Sequence, residues 1–500
     1  MPRFATLLVS LALCVVLAAC GGHDSDQTSP LDDAVGYFAK DAPLVAAVET
    51  DPEGDQIKQV SDLAGRFPGA AAILSSRLVG LTDFGSADWG RDIRPQLGAP
   101  LVIGLARPAA GRDAVTAALV VAMRVKQPLR AKQLLLRQPD FRGSSKSSGV
   151  RIYENPQAHR YGAVDGDMLI VATGRAILEQ ALAIKRTDNR MRETGFKHDV
   201  AGLPPDGLAR ISADPRTMIG ADPGLRPALT VKWLNSLRRL GAVVKASESG
   251  LTVDFHAATD KGSVSNADLP LAPTNSSLSL IGRPAEVQTA VHEPSRLARF
   301  GFDVARAIAP HRMARLRALE RNGIDLEQQV PHHLGKVGQL AVDPIGHGFA
   351  FRADLTESND VTAALSLLAP TLPSLAQLLG VRGVGLATPQ AGERFYALAK
   401  PSGGTTVFGV VDNSLVAASQ ARRAADLASE PGHAAPGAAK GAAVMTVDAR
   451  NVVGKLIAKR LTGPAALFAP LAVASLRDLT GALTISRSGL NGHFKLTIVN

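Results

Sequence analysis

Apolar residues recur along this chain in short runs that switch between two periods. Leu44–Val48 is five apolar residues between Pro43 and a polar Glu49-Thr50-Asp51. A run of that length bounded by turn-forming residues reads as a buried strand. Leu101–Leu105 and Ala117–Val125 read the same way, and Leu129–Gln138 carries helical spacing. Arg160–Val164 and Met168–Ala172 flank Asp165-Gly166. That pair of residues is a strong hairpin signal, because its turn needs positive φ. A helix over Ala176–Lys185, a further strand, another helix and a final hairpin complete the succession.

The same succession returns in the second half. Its strands are Leu278–Ile281, Gly338–Val342 and Gly348–Leu355, with helices at Asn359–Leu368 and Ala421–Ala428 and an Asp412-Asn413 turn. Four blocks correspond in order. Asp88–Gly98 parallels Asp325–Gly335, and Val164–Asp167 parallels Val411–Ser414. Ala213–Arg216 parallels Val447–Arg450, and Ser236–Ala242 parallels Ser475–Ala482. This predicts two tandem copies of one unit, at 33–260 and 272–500, joined by the polar stretch Thr259–Thr274. Strands joined by tight turns and mixed with helices predict an α+β fold with antiparallel sheets, one helix layer on each. Glu430–Gly441 reads as a mobile surface loop.

The N-terminus has a different character. Leu7–Leu17 is apolar and uncharged, follows Arg3, and is shorter than the roughly 20 residues a membrane span needs. It reads as the core of an export signal, residues 1–19. Leu17-Ala18-Ala19-Cys20 has the form of a lipobox, small residues before the cysteine whose thiol takes a diacylglycerol. Residues 20–32 are then the lipidated cysteine and a flexible tether. Of the two cysteines, Cys14 leaves with the signal and acylation consumes Cys20. The mature body therefore has no thiol for a disulfide, a nucleophile or a metal site. The expected location is the extracytoplasmic face of the cell membrane, or an outer membrane where the organism has one. Leu367–Ala387 is the best other apolar stretch, and Pro370, Pro373 and Arg382 interrupt it.

With 500 residues, 46% of them hydrophobic, the chain can bury more than one core. Its net charge of +10 is unevenly spread: 24–62 is acidic, while 124–151 and 295–322 are basic. Arg312, Arg315 and Arg317 are the candidates for contact with an anionic lipid or wall polymer. A solvated helix face explains the same charges, and is the commoner outcome. Nucleic acid is excluded as a partner by the export signal, the 4% aromatic content and the lack of a binding module.

No motif carries chemistry. There is no G-x-S-x-G, no H-E-x-x-H and no P-loop. His332 and His333 are adjacent, so on a helix they point apart and do not make a metal site together. Asp51, Glu53 and Asp55 have the spacing that opens a calcium loop. Gln56 stands where such a loop needs glycine, and Asp62 replaces its final glutamate. A turn and helix N-terminus is the better reading. Asp165 and Asp167 read as turn residues. No catalytic, metal-binding or cofactor-binding residue is predicted.

Phe38–Gln56 joins an apolar strand to Asp-Pro-Glu-Gly-Asp-Gln. With the Leu-Gly block and the Val-Asp-Gly-Asp hairpin, it resembles the bacterial secreted and lipoprotein family catalogued as domain of unknown function 3352. The resemblance implies the fold and the extracytoplasmic location, and brings no catalytic residue with it. Three functions follow, in order of expectation. The first is a non-catalytic binding or scaffold protein of the envelope, engaging a protein, lipid or wall polymer. The second is a carrier of lipid or another apolar ligand between sheet and helices. The third is an enzyme with a site assembled from scattered residues.

Overall fold

The computed structural model describes residues 29–51, 53–67, 97–106, 118–137, 142–155, 160–282, 287–320, 325–343, 348–378, 384–385, 388–390, 395–399, 405–434, 440–460 and 473–499. The lipobox residues Leu17, Ala18, Ala19 and Cys20 lie outside them. The chain forms two units. One comprises the residues through 226, 237–258 and the last three; the other comprises 227–236 and 259–497. The boundary near 258 falls beside the predicted junction, while 227–236 leaves the first half of the sequence for the second unit.

In the first unit the chain enters through helix α1 (Pro30–Val35), with Leu31, Ala34 and Val35 buried. Residues 30–32, expected to be the end of the tether, are therefore helical. Burial of Leu31 stabilises Pro30-Leu31-Asp32 as helix instead of linker. Two acidic residues hold this helix in place. Asp33 is ion-paired with Lys185 at 3.1 Å, and Asp32 accepts a hydrogen bond from the Glu193 amide at 2.8 Å. Strand β1 (Leu44–Val48) follows, buried along its whole length as its sequence predicts.

The sheet of this unit also contains β2 (Leu97–Leu105), β3 (Leu119–Val125), β4 (Arg142–Ser147), β5 (Val150–Asn155), β6 (Arg160–Asp165), β7 (Met168–Ala172), β8 (Ala209–Ala213) and β9 (Leu237–Ser247), with β10 (Gly250–Thr259) pairing on β9 in the expected final hairpin. Its strand order is β9-β8-β1-β2-β3-β7-β6-β5-β4, every pair antiparallel. The β6–β7 hairpin turns at Gly166-Asp167, one residue beyond the expected Asp165-Gly166, because Asp165 pairs with Met168 at the end of β6; Gly166 has φ +62°. Helix α2 (Asp55–Gly65) packs Ile57, Val60 and Leu63 inward, and the short helix α6 (Pro215–Ala221) follows β8.

Near β6 and β7 helices cover both faces of the sheet. Helix α3 (Pro128–Arg137) brings Ala131 and Leu135 against Met123, Tyr153, Val164 and Leu169. Helix α4 (Arg175–Ile184) brings Leu178, Ala181 and Leu182 against Val120, Ile152, Ala163 and Ile170 on the other face. This corrects the single helix layer expected from the sequence. Successive residues of a strand point to opposite faces. Met168-Leu169-Ile170 is apolar on both faces, so both need a cover.

In the second unit, β12 (Val287–His292), β13 (Leu334–Val342), β14 (Phe349–Leu355), β15 (Thr388–Gln390), β16 (Phe395–Ala399), β17 (Thr405–Val411), β18 (Ser414–Ala418), β20 (Ala443–Asp448) and β21 (Leu476–Ser486) form one antiparallel sheet, with β22 (Gly489–Ile498) pairing on β21. The order is β21-β20-β12-β13-β14-β18-β17-β16-β15. Its β17–β18 turn has Asp412 at φ +51°, a left-handed conformation without glycine.

The strand expected at Leu278–Ile281 is not part of this order. Strand β11 (Ser279–Leu280) pairs instead with β19 (His433–Ala434) in a two-stranded sheet. The central place belongs to Val287–His292, whose Gln288 and Thr289 break the apolar run that marks β1 in the sequence. The pairing of His433–Ala434 also gives part of the expected loop Glu430–Gly441 a fixed position. His433 Nε2 lies 2.8 Å from Gln288 Oε1, and Arg423 is ion-paired with Glu430 at 2.6 Å.

Candidate functional site

The second unit carries an open cleft of about 480 Å3. One wall is helix α8 (Pro294–Ile308), which starts beyond Glu293, a residue in the left-handed region at φ +47°. Its side chains Arg296, Arg299, Phe300, Asp303 and Arg306 line the cleft. Lys232 and Trp233, from the short helix α7 (Lys232–Ser236), line the opposite side. Trp233 is 7% exposed and meets the Phe300 ring edge-on, with centroids 5.9 Å apart. Such pairs contribute about 1 kcal/mol beyond their burial.

Carboxylates position most of the cations. Arg296 binds Glu293 and the Asn266 carbonyl. Lys232 lies 3.5 Å from Asp268, whose carboxyl is held below its ordinary range by hydrogen bonds from Ser265 and by Lys232. Arg306 binds Asp303 at 2.8 Å and also binds Glu327. Arg299 is exposed and makes no ion pair or hydrogen bond with a described residue. The cleft can thus offer a cation to an anionic group beside a flat apolar surface. It assembles no nucleophile with a base.

Helix α9 (Pro310–Glu320) carries the three arginines singled out in the sequence. Arg312 and Arg315 are exposed and make no ion pair with a described residue. Arg317 is exposed too, but its Nε is 3.0 Å from Glu327 Oε1. Glu327 lies on helix α10 (Leu326–His333) and its side chain is 10% exposed. Burial pushes the Glu327 carboxyl up; the hydrogen bonds from Arg306 and Arg317 outweigh that and hold it below the ordinary range. One carboxylate therefore ties α8, α9 and α10 together, and Arg317 has a structural partner that Arg312 and Arg315 lack.

The other candidates have structural roles. The His332 and His333 rings meet edge-on at 5.2 Å, and His333 Nδ1 is 3.9 Å from Glu357. Among the described residues no group of three or more histidines, cysteines and carboxylates is placed to hold a metal ion. Asp51 Oδ1 accepts the Glu53 amide at 3.1 Å, and Asp55 opens α2. Asp167 pairs with Arg124 at 2.6 Å. Asp165 accepts the Tyr37 hydroxyl at 3.1 Å. Burial and that carboxylate push the Tyr37 phenol far above its ordinary value.

A Ser–Asp–Arg cluster in the first unit escaped sequence reasoning. Ser212 Oγ donates to Asp199, and Arg239 donates to both, at 2.8 Å to Ser212 Oγ and 2.9 Å to Asp199. Ser212 is fully buried, and arginine does not act as a base. The cluster joins β8 and β9 to the end of helix α5 (Glu193–Asp199).

A family model described as "Protein of unknown function (DUF3352)" matches residues 4–280. No curated protein matches the sequence. Crystal forms III and I of TP0453 match at 9% identity and a TM-score of 0.27, covering 46% of this chain and 82% and 81% of that one. Among the described residues no helix is long and apolar enough to cross a membrane.

Proposed function

The chain belongs to the DUF3352 family of proteins of unknown function, and from that premise we propose a non-catalytic binding protein of the cell envelope, lipid-anchored at Cys20 and held at the extracytoplasmic face of the membrane. It engages an anionic partner through the cleft of its second unit. The observation that carries the binding reading is that cleft, where fixed cations surround the Trp233–Phe300 pair and Arg299 is left uncommitted. The lipobox motivates the anchor.

The two units are copies of one ancestral unit. Supporting this, their nine-strand orders coincide strand for strand. The irregularities in register also correspond, at Leu97/Leu101 in one and Leu334/Gly338 in the other.

Two experiments test the reading. Cys20→Ala should release the chain from the membrane or block its processing; tight retention after signal removal contradicts the anchor. A photo-crosslinking side chain at position 299, in the full chain within its native envelope, should capture a partner bearing phosphate or carboxylate, while one at position 366 should not. Equal yields at both positions, or a turnover that depends on a single polar residue of the body, would overturn the binding reading.

A further inference from the structure

Helix α3 of the first unit turns an apolar pair outward. Ala131 and Leu135 face the core, at 1% and 0% exposure, while Leu129 and Leu136 are 75% and 54% exposed. The two exposed leucines are seven positions apart, about two turns, so they lie in line on one face. Around them stand Lys126 and Arg130, both exposed, and the half-buried Lys132. None of the three side chains makes an ion pair or hydrogen bond with a described residue. The sequence from Val125 to Arg137 contains no acidic residue.

We propose that α3 docks the first unit on an anionic lipid bilayer, with Leu129 and Leu136 at the acyl-chain boundary and Lys126, Arg130 and Lys132 among the headgroups. Charge complementarity selects this occupant. Uncommitted cations flank the leucines, and long basic side chains reach headgroups while their stems cover apolar surface. A ten-residue helix is far too short to span and lies in the interface plane. The proposal goes beyond the cleft and rests on the anchor reading only in that the anchor keeps α3 near a bilayer.

Helix α11 (Ser358–Leu368), which follows β14 as α3 follows β3, is an internal control. It exposes one leucine, Leu367, beside Asn359, Asp360, Thr362 and Ser366, and carries no cation, so it tests what an exposed leucine does without flanking positive charge.

The test is hydrogen exchange of the full chain on phosphatidylcholine vesicles with and without phosphatidylglycerol. Peptides over 126–137 should exchange several-fold more slowly on the anionic vesicles alone, and peptides over 358–368 should not change. The double variant Leu129→Gln/Leu136→Gln should remove the protection. So should Lys126→Gln/Arg130→Gln/Lys132→Gln, which at about 1 kcal/mol per cation lowers the docking equilibrium roughly 100-fold. These are surface positions, so folding is preserved, and exchange of the β1 amides checks it.

Equal exchange of 126–137 on both vesicle types overturns the proposal. Protection that grows with protein concentration in the absence of vesicles overturns it too, in favour of self-association. The mass of the peptide containing Cys20, read from the same samples, reports acylation separately. Protection with an unmodified Cys20 means that the anchor reading fails and the docking stands; an acylated Cys20 without protection means the reverse.

Discussion

Helices α3 and α11 occupy the same place in the strand order of their units and share almost no surface chemistry. Each buries two apolar residues, Ala131 and Leu135 in one, Val361 and Leu368 in the other. Outward, α3 shows two leucines among cations, while α11 shows serine, threonine and aspartate around one exposed leucine, Leu367, and no cation. The fold constrains the face that meets the sheet and leaves the other face to whatever each unit does. The same contrast recurs at the Ser236–Ala242 and Ser475–Ala482 blocks. Arg239 is tied to Asp199 and Ser212, while Asp478 at the matching place pairs with its exposed neighbour Arg477.

The largest effect should separate the two faces of a single helix. Leu135→Ala removes a fully buried side chain and should cost about 3 kcal/mol. Leu136→Ala, one residue on, should stay within about 0.5 kcal/mol in the same urea titration. Comparable losses would mean that the outward face of α3 is covered.

Two glycines in neighbouring positions of β9 and β21, Gly241 and Gly481, should differ next. A Cβ on Gly241 would overlap the Asp199 carbonyl oxygen, which is backbone. One on Gly481 would overlap the Phe494 ring, which can turn aside. Gly241→Ala should therefore cost about 2 kcal/mol, and Gly481→Ala about half that, by thermal unfolding.

Arg239→Gln leaves the Asp199 carboxylate short of its cation and should cost about 1.5 kcal/mol, less than a fully buried pair because both side chains keep some solvent. Asp478→Asn breaks an exposed pair and should change stability by under about 0.5 kcal/mol. Equal effects would erase the distinction between the two blocks.

The smallest effect concerns pH. The Glu327 carboxyl is held below its unfolded value, so its contribution is complete above the ordinary carboxylate range. It is lost as pH falls through the folded value. The protection of α9 and α10 amides, taken relative to the intrinsic exchange rate at each pH, should fall on going from neutral pH to about pH 3, and Glu327→Gln should show the lower protection already at neutral pH. No difference between wild type and variant at neutral pH would remove Glu327 from its linking role.

The sequence was most informative where chemistry is local. Asp165-Gly166 announces the β6–β7 hairpin, and Leu44–Val48 announces a strand buried on both faces. It misled where burial is set by partners far away. Val287–His292 is central to its sheet, yet Gln288 and Thr289 hide it behind the more apolar Leu278–Ile281. The basic run after Arg124 reads as one patch, but Arg124 is committed to Asp167, leaving Lys126, Arg130 and Lys132 to face outward. The cleft was illegible because Lys232 and Trp233 are some 60 positions from α8, and no local pattern says that they meet. The spacing of Leu129 and Leu136 about the buried Ala131 and Leu135 was the available signal for α3.

The position of β1 has a consequence in time. It lies in the middle of its sheet, between β2 and β8, yet it is the first strand to be made. β2 follows some fifty residues later, and β8 only after more than 150. Throughout that interval five apolar residues present an unpaired edge to any strand that passes, the circumstance in which chains mispair and aggregate. A chain built this way gains from being kept unfolded until Ala209–Ala213 is available, so its synthesis calls for a holding factor to delay collapse more than for a catalyst to speed it.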